Sequence, residues 1–123
     1  MEKKNFDLVV FYDVGVLCDE DGELYPGIMH HVAQLTKNAR ATAVITDSGA
    51  GIGSYVASRL DIEHVLYDAG KTITQRLQSA MTLAEVAPER TLYVGAENFN
   101  HQRDAVTCGV TYRAPWQAFG SVV

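Results

Sequence analysis

The stretch LVVFYDVGVL, residues 8–17, begins as an apolar run and ends in a turn. Its first five residues are aliphatic or aromatic, which is typical of a strand that is buried on both faces of a parallel sheet. One carboxylate, Asp13, follows the run, and Gly15 comes two residues later. A polar residue after a strand most often stabilises the turn that follows. It can also mark a site, because parallel α/β sheets bind ligands at the carboxyl ends of their strands.

Four further apolar runs, at residues 41–46, 63–67, 91–95 and 109–113, alternate with segments of helical spacing. This alternation predicts an α/β fold, a three-layer α/β sandwich around a Rossmann-like parallel five-stranded sheet. Pro26 is expected in the first turn of the first helix. The longest helical stripe consists of Ile73, Leu77, Ala80, Met81 and Ala84.

The size and composition of the chain indicate one domain. It has 123 residues, of which 47% are hydrophobic and 20% are charged, as in globular proteins. We expect this domain to span residues 1–123, with a C-terminal tail at 114–123. Residues 18–25 interrupt the alternation and contain Asp21-Gly22, a pair that favours tight turns. They predict a small β-hairpin flap.

Charge and hydropathy exclude several classes of partner. The net charge of −5 argues against nucleic acid, because phosphate backbones require a basic surface. No apolar run approaches the roughly 20 residues that cross a membrane. The N-terminal residues have no small-residue cleavage site, so we expect a cytoplasmic protein. Cys18 and Cys108 are expected to be free thiols.

Polar residues follow successive predicted strands and are expected to meet in one crevice. Each alone is more typical of a turn or a helix cap, but their joint position indicates a binding site. The candidate binding residues are Asp13, Thr46, Asp47, Ser48, Lys71, Glu97 and Asn98, with Asp68 also at a strand end.

A nucleotide-binding domain is a weaker alternative. The stretch DSGAGIGSYVASRL follows a strand and opens a helix, as a dinucleotide fingerprint does. However, the sixth position of that fingerprint is Ser54 instead of glycine, and the stretch follows the second strand. A glycine-rich loop that leads into a helix is the preferred interpretation.

These segments together resemble the haloacid dehalogenase (HAD) superfamily, which consists mostly of phosphatases. LVVFYDVGVL resembles the first motif, a strand that ends in D-x-D-G-V/T-L, and the strand ending at Thr46 resembles the second. DAGK resembles the third motif at Lys71, and VGAENFN resembles the fourth. The resemblance covers about residues 7 to 114. The flap at 18–25 matches the family's flap, and no insertion is long enough for a large cap.

The resemblance implies a Mg²⁺-dependent mechanism through an aspartyl phosphate. One carboxylate attacks phosphorus, a second protonates the leaving oxygen, and the acids of the fourth motif hold the metal. In that fourth motif, Ala96 and Asn100 stand where the resemblance implies aspartates. Glu97 retains a carboxylate, but one residue late.

The first motif can be aligned in two ways. If Asp13 is the nucleophile, the general-acid position is Gly15. If the strand and the following GVL are aligned without a gap, the nucleophile position is Tyr12 and the acid position is Val14. The ungapped alignment is preferred because a rigid strand does not slip. Both alignments lack the general acid, which is typically worth 10²–10⁴-fold in rate.

The sequence therefore predicts a catalytically degenerate HAD-like domain, a pseudo-phosphatase without a cofactor that acts by binding or assembly. The alternative is a residual phosphatase or phosphotransferase with Asp13 as nucleophile, assisted by Thr46 and Lys71. In that case Asp13 and Glu97 would hold Mg²⁺. Metal-independent hydrolysis of the dehalogenase type is less favoured, because the short chain offers no enclosed apolar pocket.

A homo-oligomer or a protein partner is expected at the strand-end face. Apolar side chains near this face could form the contact, namely Leu24, Tyr25, Tyr55, Phe99, Trp116 and Phe119. The competing expectation is that the tail folds back onto its own sheet, buries Trp116 and leaves a monomer.

Overall fold

A parallel sheet of five strands organises the chain in a computed structural model that describes residues 6–47, 50–67 and 70–119. The strands are β1 (Leu8–Tyr12), β2 (Ala41–Ile45), β3 (His64–Leu66), β4 (Thr91–Val94) and β5 (Thr111–Arg113). The sheet has the order β3-β2-β1-β4-β5, and all neighbouring strands are parallel. The predicted fold class is confirmed. Strand β1 matches the first five residues of the stretch at 8–17, and each of the other four is one or two residues shorter than its predicted run.

Helices cover both faces of the sheet and complete the three layers. The helices are α1 (Ile28–Leu35), α2 (Ala50–Leu60), α3 (Ile73–Ala84), α4 (Phe99–Cys108) and α5 (Pro115–Phe119). One core cluster joins the sheet to α1 and α2 through Val32 and Val56, and the other joins it to α3 and α4 through Leu77 and Ala105. In the described ranges, no helix has the length and apolar character that a membrane span needs.

The start of α1 corrects the prediction for Pro26. The helix begins at Ile28, and Gly27 before it has a φ of 77°. This left-handed conformation breaks the helical path, so Pro26 lies outside the first turn.

The flap at 18–25 is a tight turn with one antiparallel bridge, between Cys18 and Leu24, where we predicted two short strands. The N–H of Gly22 donates to the carbonyl of Asp19 (3.0 Å), and Gly22 has a φ of 84°. Glu20, Asp21 and Gly22 are therefore all in the loop. Too few residues remain on either side to extend the ladder.

The order of the strands fixes the position of the crevice. Strands β2 and β3 lie on one side of β1, whereas β4 and β5 lie on the other. The order in which strands are added to the sheet therefore reverses between β1 and β4. Ligands of such sheets bind at the carboxyl ends of the strands around this point. Tyr12 is the last residue of β1, and Asp13 follows it. Because side chains alternate along a strand, the two residues face opposite sides of the sheet.

The tail folds back in part. Phe119 stacks on Phe11 in the core, with ring centroids 6.3 Å apart. Trp116 nevertheless remains 59% exposed, so the expectation that the tail buries Trp116 is wrong. Trp116 lies three residues before Phe119 on the same face of α5, and both line one open groove. Phe119 reaches the core there, whereas Trp116 remains at the exposed edge.

Candidate functional site

An ion pair and a tyrosine occupy the carboxyl ends of β1 and β2. The hydroxyl of Tyr12 donates to Oδ2 of Asp47 (2.9 Å), and Nη1 of Arg76 lies 2.6 Å from Oδ1 of the same carboxylate. Arg76 also donates from Nη1 to the carbonyl of Thr46 (3.0 Å) and from Nε to the carbonyl of Thr72 (3.4 Å). Arg76 is only 4% exposed. Both oxygens of Asp47 are thus engaged by groups of the chain itself.

A buried histidine completes the arrangement from α4. The ring of His101 meets the ring of Tyr12 edge-on, with centroids 4.6 Å apart. Its Nδ1 accepts from the N–H of Ala96 (3.3 Å) and lies 2.9 Å from the hydroxyl of Tyr93. Because a backbone N–H can only donate, Nδ1 carries no proton, Tyr93 donates to it, and the neutral ring holds its proton on Nε2. We define the strand-end cluster as Tyr12, Asp47, Arg76, Tyr93 and His101.

The charges of this cluster follow from burial and pairing. Burial and the hydrogen bond to Asp47 raise the pKa of Tyr12 above its ordinary value. Burial would raise the pKa of Asp47, but the hydrogen bonds from Arg76 and Tyr12 outweigh it and lower that pKa. At neutral pH the cluster therefore holds a protonated tyrosine beside an ion-paired carboxylate. A protonated hydroxyl is a weak nucleophile, and a carboxylate held in its ionised form cannot act as a general acid.

We predict that acidification destabilises the protein through His101. Burial lowers the pKa of His101, while the carboxylates of Asp47 and Asp104 favour its charged form and Arg76 opposes it. At pH values between this lowered pKa and the unfolded value of about 6.5, His101 binds a proton more readily in the unfolded chain than in the folded protein. The free energy of unfolding therefore falls as the pH drops below about 6.5. Urea denaturation at pH 7.5 and pH 5 measures this loss.

The variant His101→Gln should show a smaller loss of stability between pH 7.5 and pH 5 than the wild type. The matched control is His30→Gln, because His30 is exposed on α1. That control should retain the full loss. An unchanged pH dependence in His101→Gln would contradict the assignment.

Asp13 lies beneath the crevice instead of in it. It is completely buried, and its Oδ1 accepts from the N–H of Val14 (2.7 Å). Its carbonyl accepts from the N–H groups of Val16, Leu17 and Cys18 at 2.8 to 3.2 Å. Its Oδ2 is buried and has no hydrogen-bond partner in the described part of the chain. Of the two residues considered for the nucleophile position, Tyr12 faces the crevice and Asp13 shapes the turn.

The predicted residues of the second and third motifs, Thr46 and Lys71, both lie beside Arg76. Thr46 is buried and touches the site through its carbonyl, which accepts from Arg76. Lys71 is exposed and shares a small cavity of about 180 Å³ with Arg76, Tyr67 and Ser79. Ser48 and Asp68 lie outside the described residues. Asp47 is thus the predicted binding residue whose side chain the structure brings into the strand-end cluster.

The residues of the fourth motif face a different surface. Asn98 is the N-cap of α4, and its Oδ1 accepts from the N–H of Asn100 (2.7 Å). Glu97 is exposed and lines a depression together with Trp116 and Gln117. The structural role that is usual for a polar residue before a helix therefore accounts for Asn98.

The residues present do not fit Mg²⁺. The metal needs several oxygen ligands that point to one centre, but Asp13 and Glu97 lie in separate environments, one buried and one in an exposed depression. The carboxylate of Asp47 faces the guanidinium of Arg76 instead. Within residues 6–47, 50–67 and 70–119, no three His, Cys, Asp or Glu side chains are grouped as metal ligands.

Sequence reasoning missed Arg76, although a signal was present. Arg76 lies three residues after Ile73 and four before Ala80, so it falls on the apolar stripe of α3. A charged residue on a buried stripe needs a partner of opposite charge. His101 gave the same kind of signal, since it lies four residues before the buried Ala105. Two glycines of the fingerprint-like stretch, Gly51 and Gly53, lie in the first turn of α2 and not in a loop before it, whereas Gly49 lies outside the described residues.

Comparison with known proteins identifies the fold. No protein-family model and no curated protein matches the sequence. A haloacid dehalogenase-like hydrolase, SP0104 from Streptococcus pneumoniae, superimposes with a TM-score of 0.75 over 94% of this chain and 87% of its own, at 12% identity. A putative HAD family hydrolase from Streptomyces avermitilis MA-4680 gives a TM-score of 0.68 over 89% and 67%, at 23% identity. The resemblance to HAD-like proteins is confirmed at the level of the fold.

Proposed function

We propose that this chain is a catalytically degenerate HAD-like domain that acts by binding. The proposal starts from its fold and from the strand-end cluster in its crevice. One observation carries the proposal: Tyr12 ends β1 at the crevice, and its hydroxyl is bound to a carboxylate that Arg76 already neutralises. Function resides in sites that are grafted on folds, so a fold can persist after its chemistry is lost.

Phosphoryl transfer of the HAD type needs three components, and each lacks support here. A nucleophilic carboxylate must reach the crevice, but Asp13 is fully buried. A general acid is needed at the position of Val14 or Gly15, and neither side chain can donate a proton. The metal needs converging acids, which Glu97 and Asp13 do not supply. Hydrolysis of the dehalogenase type also needs a nucleophilic aspartate and is disfavoured for the same reason.

One observation favours the alternative of a residual phosphatase. The Oδ2 of Asp13 has no hydrogen-bond partner within the described residues, and unpaired buried oxygens are costly unless they serve a purpose. An opening of the turn at residues 13–18 would be required before this oxygen could reach a phosphate. Three backbone hydrogen bonds to the carbonyl of Asp13 resist that opening.

We predict no Mg²⁺-dependent hydrolysis of p-nitrophenyl phosphate above the rate of a blank. Asp13→Asn is the informative control, because it retains the shape of the side chain. Turnover in the wild type that disappears in Asp13→Asn would overturn the proposal and establish the alternative. Calorimetric titration of the same sample should show no Mg²⁺ site tighter than about millimolar, since Mg²⁺ bound by few protein ligands keeps most of its waters.

Exposed aromatic side chains support a partner protein or a second copy of the chain. Tyr25, Tyr55, Phe99 and Trp116 are 39%, 49%, 74% and 59% exposed. Aromatic residues of this kind are common anchors in protein interfaces. Leu24 and Phe119, which we expected to contribute, pack partly against the core.

A further inference from the structure

An aromatic groove crosses the face between α1, α5 and the flap. It encloses about 270 Å³, is open to solvent, and is lined by the side chains of Tyr25, Pro26, His31, Pro115, Trp116 and Phe119. Its wall is fixed in place, because the ring of Phe119 packs on Phe11 (6.3 Å) and on His31 (5.7 Å). Trp116 is 59% exposed at its edge. The groove therefore exists before any ligand binds, and binding would cost little side-chain ordering there.

An acidic pocket adjoins this groove. Tyr25 lines both, and the second is also lined by Asp19, Glu20 and Asp21 of the flap. Glu20 and Asp21 are exposed and have no salt bridge to any residue that the structure describes. Asp19 shapes the flap, since its Oδ1 accepts from the N–H groups of Asp21 (2.9 Å) and Glu23 (3.0 Å). The flap thus holds several carboxylates in a fixed turn at one end of an aromatic groove.

We infer that this surface binds an extended, basic peptide segment of a partner protein. A proline or aliphatic residue would fill the aromatic groove, as in the recognition of proline-containing segments by aromatic-lined grooves. A neighbouring lysine or arginine would reach the acidic flap, where charge complementarity selects the partner. The inference rests on the proposed function of a binding domain and specifies its partner. A second copy is disfavoured as the occupant, because the net charge of −5 would oppose docking at an acidic flap.

The test uses Trp116 as its probe, because it is the chain's single tryptophan. A positional-scanning library of twelve-residue peptides is titrated against the full chain, and tryptophan fluorescence is recorded. The signal should be strongest with Lys or Arg fixed at one position and Pro, Leu or Ile fixed a few positions away. It should be weakest with Asp or Glu fixed. No binding in any pool, or a preference for acidic peptides, would overturn the inference.

Variants then locate the site by fluorescence anisotropy of a labelled peptide from the strongest pool. Trp116→Ala should weaken binding about 30-fold, the loss expected for an interface anchor. The double reversal Glu20→Lys with Asp21→Lys should weaken it about tenfold, and added salt should weaken binding to the wild type. The matched controls are Tyr67→Ala, an exposed aromatic outside the groove, and Glu63→Lys with Glu89→Lys, which changes the net charge equally. Equal losses in the controls would overturn the assignment.

Light scattering tests whether a second copy of the chain, instead of a peptide, occupies the groove. A dimer at micromolar concentration that dissociates in Trp116→Ala would show that a second copy fills the groove, and the inference would be wrong. Phosphatase turnover in the parallel assay would overturn the proposed function and leave the peptide measurement standing. A failed peptide titration without turnover would overturn only the partner.

Discussion

Replacement of Arg76 by methionine is expected to lower the free energy of unfolding by about 3 kcal/mol. Arg76 is 4% exposed and donates to the carbonyls of Thr46 and Thr72 as well as to Asp47. Methionine fills most of the space but removes the guanidinium donors from the carbonyl of Thr46 and from Asp47. The carbonyl of Thr72 keeps the backbone N–H of residue 76, and Asp47 keeps the hydroxyl of Tyr12. The cost stays at the lower end of the range for broken buried pairs, because the side chain of Asp47 is 47% exposed and its charge remains hydrated. Urea denaturation at pH 7.5 measures it.

Two further variants serve as controls for the loss of stability in Arg76→Met. Arg90 forms an exposed pair with Asp7 (3.2 Å), with side chains 46% and 29% exposed, so Arg90→Met should cost about 1 kcal/mol or less. Arg76→Lys keeps the charge but loses the planar fork that reaches several acceptors, and should fall between the two. If Arg76→Met costs no more than Arg90→Met, the ion pair does not hold the strand-end cluster together.

The fold was predictable because its signal is local and repeated. Each strand reads as a short apolar run, and each helix as a stripe, so errors at the ends of single elements do not change the topology. The local predictions that were wrong involve glycines with a positive φ. With Gly27 at positive φ, α1 begins after Pro26, and the turn that contains Gly22 leaves the flap with a single antiparallel bridge instead of two strands. A sequence shows that a glycine is present but not which φ the fold requires of it.

The site was harder to predict, because its contacts join distant residues. Tyr12 and Asp47 are 35 positions apart in the chain, and Arg76 and Thr46 are 30 apart. Polar residues at strand ends predicted a crevice, and the structure joins the side chain of Asp47, one of these residues, to Tyr12 and Arg76. They could not show that Asp13 turns inward, which depends on the hydrogen bonds of the loop that follows. The position of Arg76 on an apolar stripe was the signal that could have identified the partner of Asp47.

Gly95→Ala should be about as destabilising as Arg76→Met, at about 3 kcal/mol. A Cβ at Gly95 would lie 2.6 Å from Cε2 of Tyr93 and 3.1 Å from Nδ1 of His101. Tyr93 cannot move aside easily, because its ring is completely buried and its hydroxyl is bonded to His101 (2.9 Å). Relief of the clash would have to break that bond, which leaves buried polar atoms unpaired.

Gly51→Ala is the matched control for the same chemical change. Gly51 is the second residue of α2, and a Cβ there would meet nothing within 4 Å. Alanine should therefore stabilise the protein slightly, by up to about 0.5 kcal/mol, through its helix propensity in the first turn. Urea denaturation of both variants should give effects of opposite sign. Because the displaced bond holds His101, Gly95→Ala should also reduce the loss of stability between pH 7.5 and pH 5, whereas Gly51→Ala should not. A Gly95→Ala variant with wild-type stability and an unchanged pH dependence would show that Tyr93 and His101 are not packed against this glycine as described.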